Sequence, residues 1–213
     1  SGSTFPVGSS TVTFRATDGS GNTADCSFSV TVTDNEDPTI SCPSNITSGN
    51  DAGQCGANVS WSPVVGTDNC PNPVTAQTGG GSSGSFFAVG TSTVSYTVTD
   101  AAGNTDDCSF TVTVNDNEAP GISCPSDITV SNDFGQCNAV VTYSDATATD
   151  NCPTVSVVRT AGATSGSQFG VTSSPNTVTY VATDAAGNPA TCSFTITVND
   201  TEDPTIACPC DIV

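Results

Sequence analysis

One passage of this chain is written three times. Asp18-Gly-Ser-Gly-Asn22, Cys26-Ser-Phe28, Asp34-Asn-Glu36-Asp-Pro38 and Cys42-Pro43 follow one another in the first copy. The second reads Asp100-Ala-Ala-Gly-Asn104, Cys108-Ser-Phe110, Asp116-Asn-Glu118-Ala-Pro120 and Cys124-Pro125. The third reads Asp184-Ala-Ala-Gly-Asn188, Cys192-Ser-Phe194, Asp200-Thr-Glu202-Asp-Pro204 and Cys208-Pro209. Cys42 and Cys124 are 82 residues apart, Cys124 and Cys208 are 84 apart. A unit this long is a whole small domain, longer than the ~20–50 residues of a solenoid repeat. Residues 1–34 read as the C-terminal half of a repeat, 35–117 and 118–200 as complete repeats, and 201–213 as the start of another. Residues 1–8 align with 83–90, mid-repeat, and the chain has no methionine and no signal-peptide pattern. It therefore reads as a processed product or a window on a longer array.

Within a repeat the hydrophobic period is two. Ile40, Cys42 and Ile46 share parity, as do Cys55, Ala57, Val59 and Trp61; Val94, Tyr96 and Val98; and Cys108, Phe110, Val112 and Val114. Cys137, Ala139, Val141 and Tyr143, then Cys192, Phe194, Ile196 and Val198, repeat the pattern. Alternation with Ser, Thr and Asn is the mark of half-buried strands, and no helical period competes with it. Short strands between Gly, Asn, Asp and Pro turns predict an all-β chain of tandem immunoglobulin-like antiparallel β-sandwiches joined end to end. Strand A is expected near Ile40, B near Cys55, C near Val74, F near Thr93 and G near Cys108. The B–C loop with Asp68 and the F–G loop from Asp100 to Asn104 then return to the N-terminal pole.

Eleven cysteines and no histidine exclude a zinc framework and point to disulfides, hence to an oxidising, extracellular location. Four cysteines per repeat allow three connectivities. Facing positions on strands A and G favour Cys42–Cys108 and Cys124–Cys192, leaving Cys55–Cys70 and Cys137–Cys152. That second kind of pair is awkward if strand B runs straight, and Cys42–Cys70 is its rival. Cys26 and Cys208 read as halves of bonds whose partners lie outside this sequence. Cys210, where the other copies have Ser44 and Ser126, is either an intermolecular cross-link or an error in the sequence.

Two arginines and no lysine stand against 21 carboxylates, a formal charge of −19. Such a polyanion is repelled by nucleic acid and by anionic membranes. No run of about 20 apolar residues is present to span a bilayer. Divalent cations are its natural counterions, and calcium takes six to eight oxygens from carboxylates and carbonyls. Asp34 and Glu36 of the first linker, with Asp68 and Asp100, form one candidate calcium set; Asp116, Glu118, Asp150 and Asp184 form the next. The competing reading makes Asp-Ala-Ala-Gly-Asn a hairpin turn and the linker hydrated chain. It explains Gly103 and Asn104, but not an Asp and a Glu before the proline at every junction.

The unit resembles the hyalin repeat, or HYR domain, an immunoglobulin-like extracellular module. The resemblance rests on Cys-Pro-Ser-Asp-Ile-Thr-Val (124–130), Gly-Gln-Cys (135–137), Ala-Thr-Asp-Asn-Cys (148–152) and Phe-Ala-Val-Gly-Thr (87–91). It continues through Val-Thr-Tyr-Val-Ala-Thr-Asp-Ala-Ala-Gly-Asn (178–188) and Cys-Ser-Phe-Thr-Ile-Thr-Val-Asn-Asp (192–200) and covers essentially the whole chain. The departures are Gly49 in strand A, Phe169-Gly-Val-Thr in the third unit, and Cys210. The linker is also similar to the cadherin interdomain linker, where such acidic residues bind calcium. Together these imply an extracellular structural or adhesive array with no catalytic residues to carry over.

The expected function is an extracellular fibre or stalk of calcium-stabilised, disulfide-bonded domains. Its partners would be copies of itself or further repeats of the same chain. The alternative is an adhesin recognising a protein or glycan on another surface. Without histidine or lysine, acid–base chemistry would fall to carboxylates that repeat identically, so an enzyme is not expected. Asn45, Asn58 and Asn199 stand in Asn-X-Ser/Thr sequons, compatible with N-glycans on a secreted protein, although random occurrence in so Ser/Thr-rich a chain also explains them. Trp61 is expected in the core, and Arg15 and Arg159 in surface ion pairs.

Overall fold

The computed structural model describes residues 2–207. Ser1 and residues 208–213 lie outside the described residues, and with them the readings made of Cys208 and Cys210. The first repeat contributes a hairpin of β1 (Gly8–Thr17) and β2 (Thr23–Val32). The second supplies β3 (Ile46–Gly49), β4 (Gly56–Val59), β5 (Val74–Gly79), β6 (Ser85–Ala88), β7 (Gly90–Thr99) and β8 (Thr105–Asn115). The third supplies β9 (Gly121–Ser123), β10 (Ile128–Ser131), β11 (Asn138–Val141), β12 (Thr147–Thr149), β13 (Val155–Ala161), β14 (Ser167–Gly170), β15 (Asn176–Asp184) and β16 (Pro189–Asn199). No helix occurs among the described residues.

Sheet order is the same in both full repeats. The second has a four-stranded sheet in the order β3-β8-β7-β5 and a pair β4-β6; in the third β10-β16-β15-β13 packs against β11-β14. β10 runs parallel to β16, Ile128 opposite Ile196, while β15 pairs antiparallel with β16 and puts Tyr180 opposite Cys192. The small pair β9-β12 has its counterpart in the single bridge between Thr39 and Thr67. Two expectations shift. The strand expected from Ile40 starts its ladder at Ile46, because Ile40 gives its N–H to Asp106 Oδ2 at 3.1 Å instead. Strand B stops at Val59, short of Trp61.

The alternation does what parity requires. In β16, Phe194, Ile196 and Val198 are buried while Ser193 faces solvent. They pack with Ala139, Val141, Phe169, Val178 and Tyr180 into one core, and Tyr143 sets its ring edge-on to Phe194 at 5.1 Å. Burial and a 2.7 Å hydrogen bond to Asp145 push the Tyr180 hydroxyl up to about 12, so it stays a donor. In the second repeat Val94, Val98, Phe110, Val112 and Val114 take the same places. Trp61 packs edge-on against Phe110 at 5.2 Å and donates through its indole N–H to Tyr96. Arg15 pairs with Asp25 at 2.7 Å on the surface, whereas Arg159 donates to the Gly162 carbonyl.

The described residues pack as two compact units. One comprises the chain up to Ile46 with Val59–Ser85 and Thr91–Thr113; the other comprises Thr47–Asn58, Phe86–Gly90 and the chain from Val114. Segments of the second repeat thus cluster with the third.

Candidate functional site

Each Asp-X-X-Gly-Asn passage closes a hairpin by its own chemistry. Asp100 N–H donates to the Asn104 carbonyl, and Asp100 Oδ1 accepts from the backbone N–H groups of Ala102, Gly103 and Asn104 at 2.7–2.9 Å. Gly103, at φ +96°, supplies the left-handed residue that this turn needs. Asp100 Oδ2 takes the Asn104 side-chain amide at 2.7 Å. Burial pushes the Asp100 carboxyl up, but the hydrogen bonds from Asn104, Gly103 and Ala102 outweigh it and hold it below the usual carboxylate range. Asp184 is treated alike by burial and by Asn188, Gly187 and Ala186. The same turn binds Asp18 to Asn22 in the first hairpin.

The asparagine of the turn then reaches the linker. Asn104 Nδ2 donates to the Glu36 carbonyl at 3.2 Å, and Asn188 Nδ2 to the carbonyls of Asp116 and Glu118, both at 3.2 Å. Asp100 and Asp184 therefore act on the linker through an asparagine, with their own oxygens already occupied.

At each joint two of the candidate carboxylates lie together. Oxygens of Asp34 and Asp68 lie with Cys70 Sγ within 4.8 Å of one another, and Asp116, Asp150 and Cys152 repeat the cluster. Asp34 and Asp116 each cap the N–H of the glutamate two residues on, at 3.2 Å. Asp68 and Asp150 each accept, through Oδ2, the N–H of the cysteine two residues on at 2.8 Å. Asp68 Oδ1 is buried without a hydrogen-bond partner, and Asp116 is only 6% exposed. Anionic oxygens so close, one of them orphaned, are a costly arrangement that a cation relieves. A hydrogen bond to Asp34, then burial and the charges of Asp34, Asp68 and Asp100, push the Cys70 thiol up to about 11.

The expected four-carboxylate cluster is thus smaller than the sequence suggests. Glu36 accepts from Asn69 Nδ2 at 2.6 Å, and Glu118 accepts from Gly53 N–H at 2.8 Å and Asn50 Nδ2 at 3.4 Å. Both glutamates tie loops together rather than joining Asp34 and Asp116. The cysteine beside each aspartate pair was not read from the sequence as a neighbour, although Asp-Asn-Cys in both repeats places it two residues away.

The cystines differ from expectation in one respect. Cys42 bonds Cys108 and Cys124 bonds Cys192, which fastens the start of each repeat to its last strand. Cys55 and Cys70 are not joined, nor are Cys137 and Cys152. Cys55 bonds Cys152 instead, 97 residues on and in the following repeat. The reason is position. Cys55 ends a turn in which Gln54 N–H donates to the Asp51 carbonyl, at the end of the repeat where the chain leaves through Glu118. Cys70 sits where the chain enters, beside Asp34. Cys26, Cys70 and Cys137 are free thiols.

The sequon asparagines are exposed. Asn45 Oδ1 accepts from Thr111 N–H at 2.9 Å, Asn58 Nδ2 donates to Asp51 at 3.2 Å, and Asn199 accepts through its carbonyl from Asn132 N–H.

The sequence profile of the HYR domain matches residues 1–32, 33–114 and 115–198. Hyalin of Lytechinus variegatus is 37% identical over 222 residues, covering 100% of this chain and 41% of that protein. Hyalin of Strongylocentrotus purpuratus is 37% identical over 221 residues, covering 97% of this chain and 18% of that protein. The chain thus spans less than half the length of either relative. A protocadherin gammaB7 structure (EC3-6) aligns over 91% of this chain and 59% of its own, at 18% identity and a TM-score of 0.37.

Proposed function

This chain belongs to the HYR domain family, and from that premise we propose that it is an extracellular structural protein, a run of sandwiches fastened one to the next as part of a fibre or stalk. Its partners are further repeats of the same kind, and no reaction is assigned to it. The observation that carries the reading is the repeated joint. The same turn-asparagine grips the linker at Glu36 and at Glu118, and an aspartate pair lies beside each grip. The second reading, adhesion to a protein or glycan on another surface, would also need repeats held at fixed separations.

Calcium is the cation these joints suit. Asp34 with Asp68, and Asp116 with Asp150, would hold it, helped by backbone carbonyls and water. Cys70 and Cys152 contribute no ligand, since calcium prefers hard oxygen and Cys152 is spent in a disulfide. When bound, the ion would supply charge neutralisation and would fix the linker against the Asp-Asn-Cys loop. Two carboxylates per joint place the affinity at about 10⁻⁴ to 10⁻³ M, the extracellular range. Calorimetric titration of the chain with calcium tests this. Two weak sites are expected, with Asp68→Asn removing one. A titration with no heat beyond dilution, or one that Asp68→Asn leaves unaltered, would overturn it.

A further inference from the structure

Asn45 stands in the second repeat where the third has Asp127. The segments around them, Cys42-Pro-Ser-Asn-Ile-Thr47 and Cys124-Pro-Ser-Asp-Ile-Thr129, are otherwise identical. Both side chains do the same work in the fold. Asn45 Oδ1 accepts the N–H of Thr111 at 2.9 Å, and Asp127 Oδ1 accepts that of Thr195 at 2.7 Å. Each bond attaches the chain to the repeat's last strand just ahead of the ladder, which begins at Ile46 and at Ile128. The fold therefore takes one acceptor oxygen from this position, and a carboxylate supplies it equally well. What asparagine adds is an amide nitrogen. Asn45 Nδ2 makes no hydrogen bond among the described residues, and Asn45 and Thr47 are both exposed. With Thr47 two residues on, that nitrogen has the context in which secretory cells attach sugar to asparagine.

The two other sequons are encumbered. Asn58 Nδ2 already donates to Asp51 Oδ2 at 3.2 Å, and the Asn58 backbone N–H goes to the same oxygen at 3.0 Å. Asp51 also accepts, through its carbonyl, the Gln54 N–H that closes the turn before Cys55. Sugar on Asn58 would crowd against that turn. At Asn199 the threonine is engaged instead, since the Thr201 N–H and hydroxyl both donate to Asn132 Oδ1, at 3.0 and 3.3 Å. Asp200 and Glu202 also place a carboxylate on either side of Thr201, and these repel an anionic sugar donor.

We propose that Asn45 is an N-glycosylation site, the one sequon of the three whose acceptor nitrogen and hydroxyl the folded chain leaves free. In the transfer a bond forms between Asn45 Nδ2 and C1 of the sugar. The bond from C1 to the pyrophosphate of a lipid-linked oligosaccharide breaks, the pyrophosphate leaves with the electron pair, and Nδ2 gives up one proton. A host transferase supplies the catalysis, and this chain supplies only the acceptor. Oδ1 takes no part, so the bond from Thr111 survives the modification. The site adds to the tandem-array reading and needs only passage through the secretory pathway, which the experiment provides.

The test uses the full chain, secreted from animal cells behind a cleavable signal peptide. Peptide-N-glycosidase in heavy-oxygen water then converts each glycosylated asparagine to a labelled aspartate, which peptide mapping locates. The label should stand at Asn45 in most molecules, and several-fold less often at Asn58 and Asn199. Thr47→Ala should remove it from Asn45. Asn45→Asp should remove it too and yet melt with the deglycosylated parent, because a carboxylate keeps the bond from Thr111. Asn45→Ala, which loses the oxygen as well, should melt about 4–8 °C lower, as expected for one hydrogen bond. No label at Asn45 in the secreted chain, label at Asn58 or Asn199 as often as at Asn45, or an Asn45→Asp chain that melts as low as Asn45→Ala would overturn the proposal.

Discussion

Replacing Cys124 and Cys192 together by serine should lower the melting temperature of the third repeat by roughly 15–30 °C. The bond closes a loop of 68 residues, and removing a closure of that size releases chain entropy worth about 4 kcal/mol in the unfolded state. At about 4–8 °C per kcal/mol for a domain of this size, the shift follows. The site also matters in the folded state. The segment after Cys124 is otherwise held to β16 by the Thr195 N–H on Asp127 Oδ1 and the four-residue parallel ladder from Ile128 to Ser131, a short attachment for the whole first strand. Calorimetry of the parent and the double variant, side by side, measures it. A shift below about 5 °C would mean that β10 is anchored by packing alone, contrary to the assignment here.

The second large effect is expected at Ile196. This side chain is fully buried, between Phe194 and Val198 on β16, and contributes to the core shared with Val178 and Tyr180. Ile196→Ala should cost about 2–5 kcal/mol, the lost transfer energy plus a cavity that a sheet with fixed register cannot collapse to fill. Ser193→Ala, on the solvent side of the same strand, should stay within about 0.5 kcal/mol. Chemical denaturation of both variants gives the contrast. Similar losses for the two would show that β16 does not present the face that its alternation specifies.

That alternation is why the fold was legible in the sequence. Cys108, Phe110, Val112 and Val114, then Cys192, Phe194, Ile196 and Val198, can point one way only if the backbone is extended, and the structure buries the last three of each set. The cystines along that face followed, since Cys42 and Cys124 come from the neighbouring strand segment. Cys55 did not follow, and for a physical reason. Both complete repeats contain a Gly-Gln-Cys and an Asp-Asn-Cys, so a bond within a repeat and a bond to the next repeat have the same sequence signature. The difference lies in which end of the sandwich each cysteine occupies, a property of strand B's path that residue types do not record.

The carboxylates divide in the same way. Asp-X-X-Gly-Asn announces a turn, and Gly103 and Asn104 are where turn chemistry requires them. Whether the aspartate in such a turn keeps a free oxygen depends on how many N–H groups its backbone folds over it. At Asp100 three backbone donors and one amide leave none to spare. Asp34 and Asp68 are separated by a sequence distance that says nothing of their approach, yet their oxygens lie within 4.8 Å. Proximity of this kind comes from the Thr39–Thr67 bridge, which brings the entering linker beside the loop after strand B.

The proposed function requires joints that would keep one repeat in fixed register with the next, by aspartate-held cation and by cystine together. Small-angle scattering of the Cys55→Ser/Cys152→Ser chain in chelator, set against the parent chain in millimolar calcium, measures that directly. A shorter maximum dimension and a broader distribution of interatomic distances are expected once both ties are gone. Superimposable profiles, with both proteins still folded by circular dichroism, would contradict it.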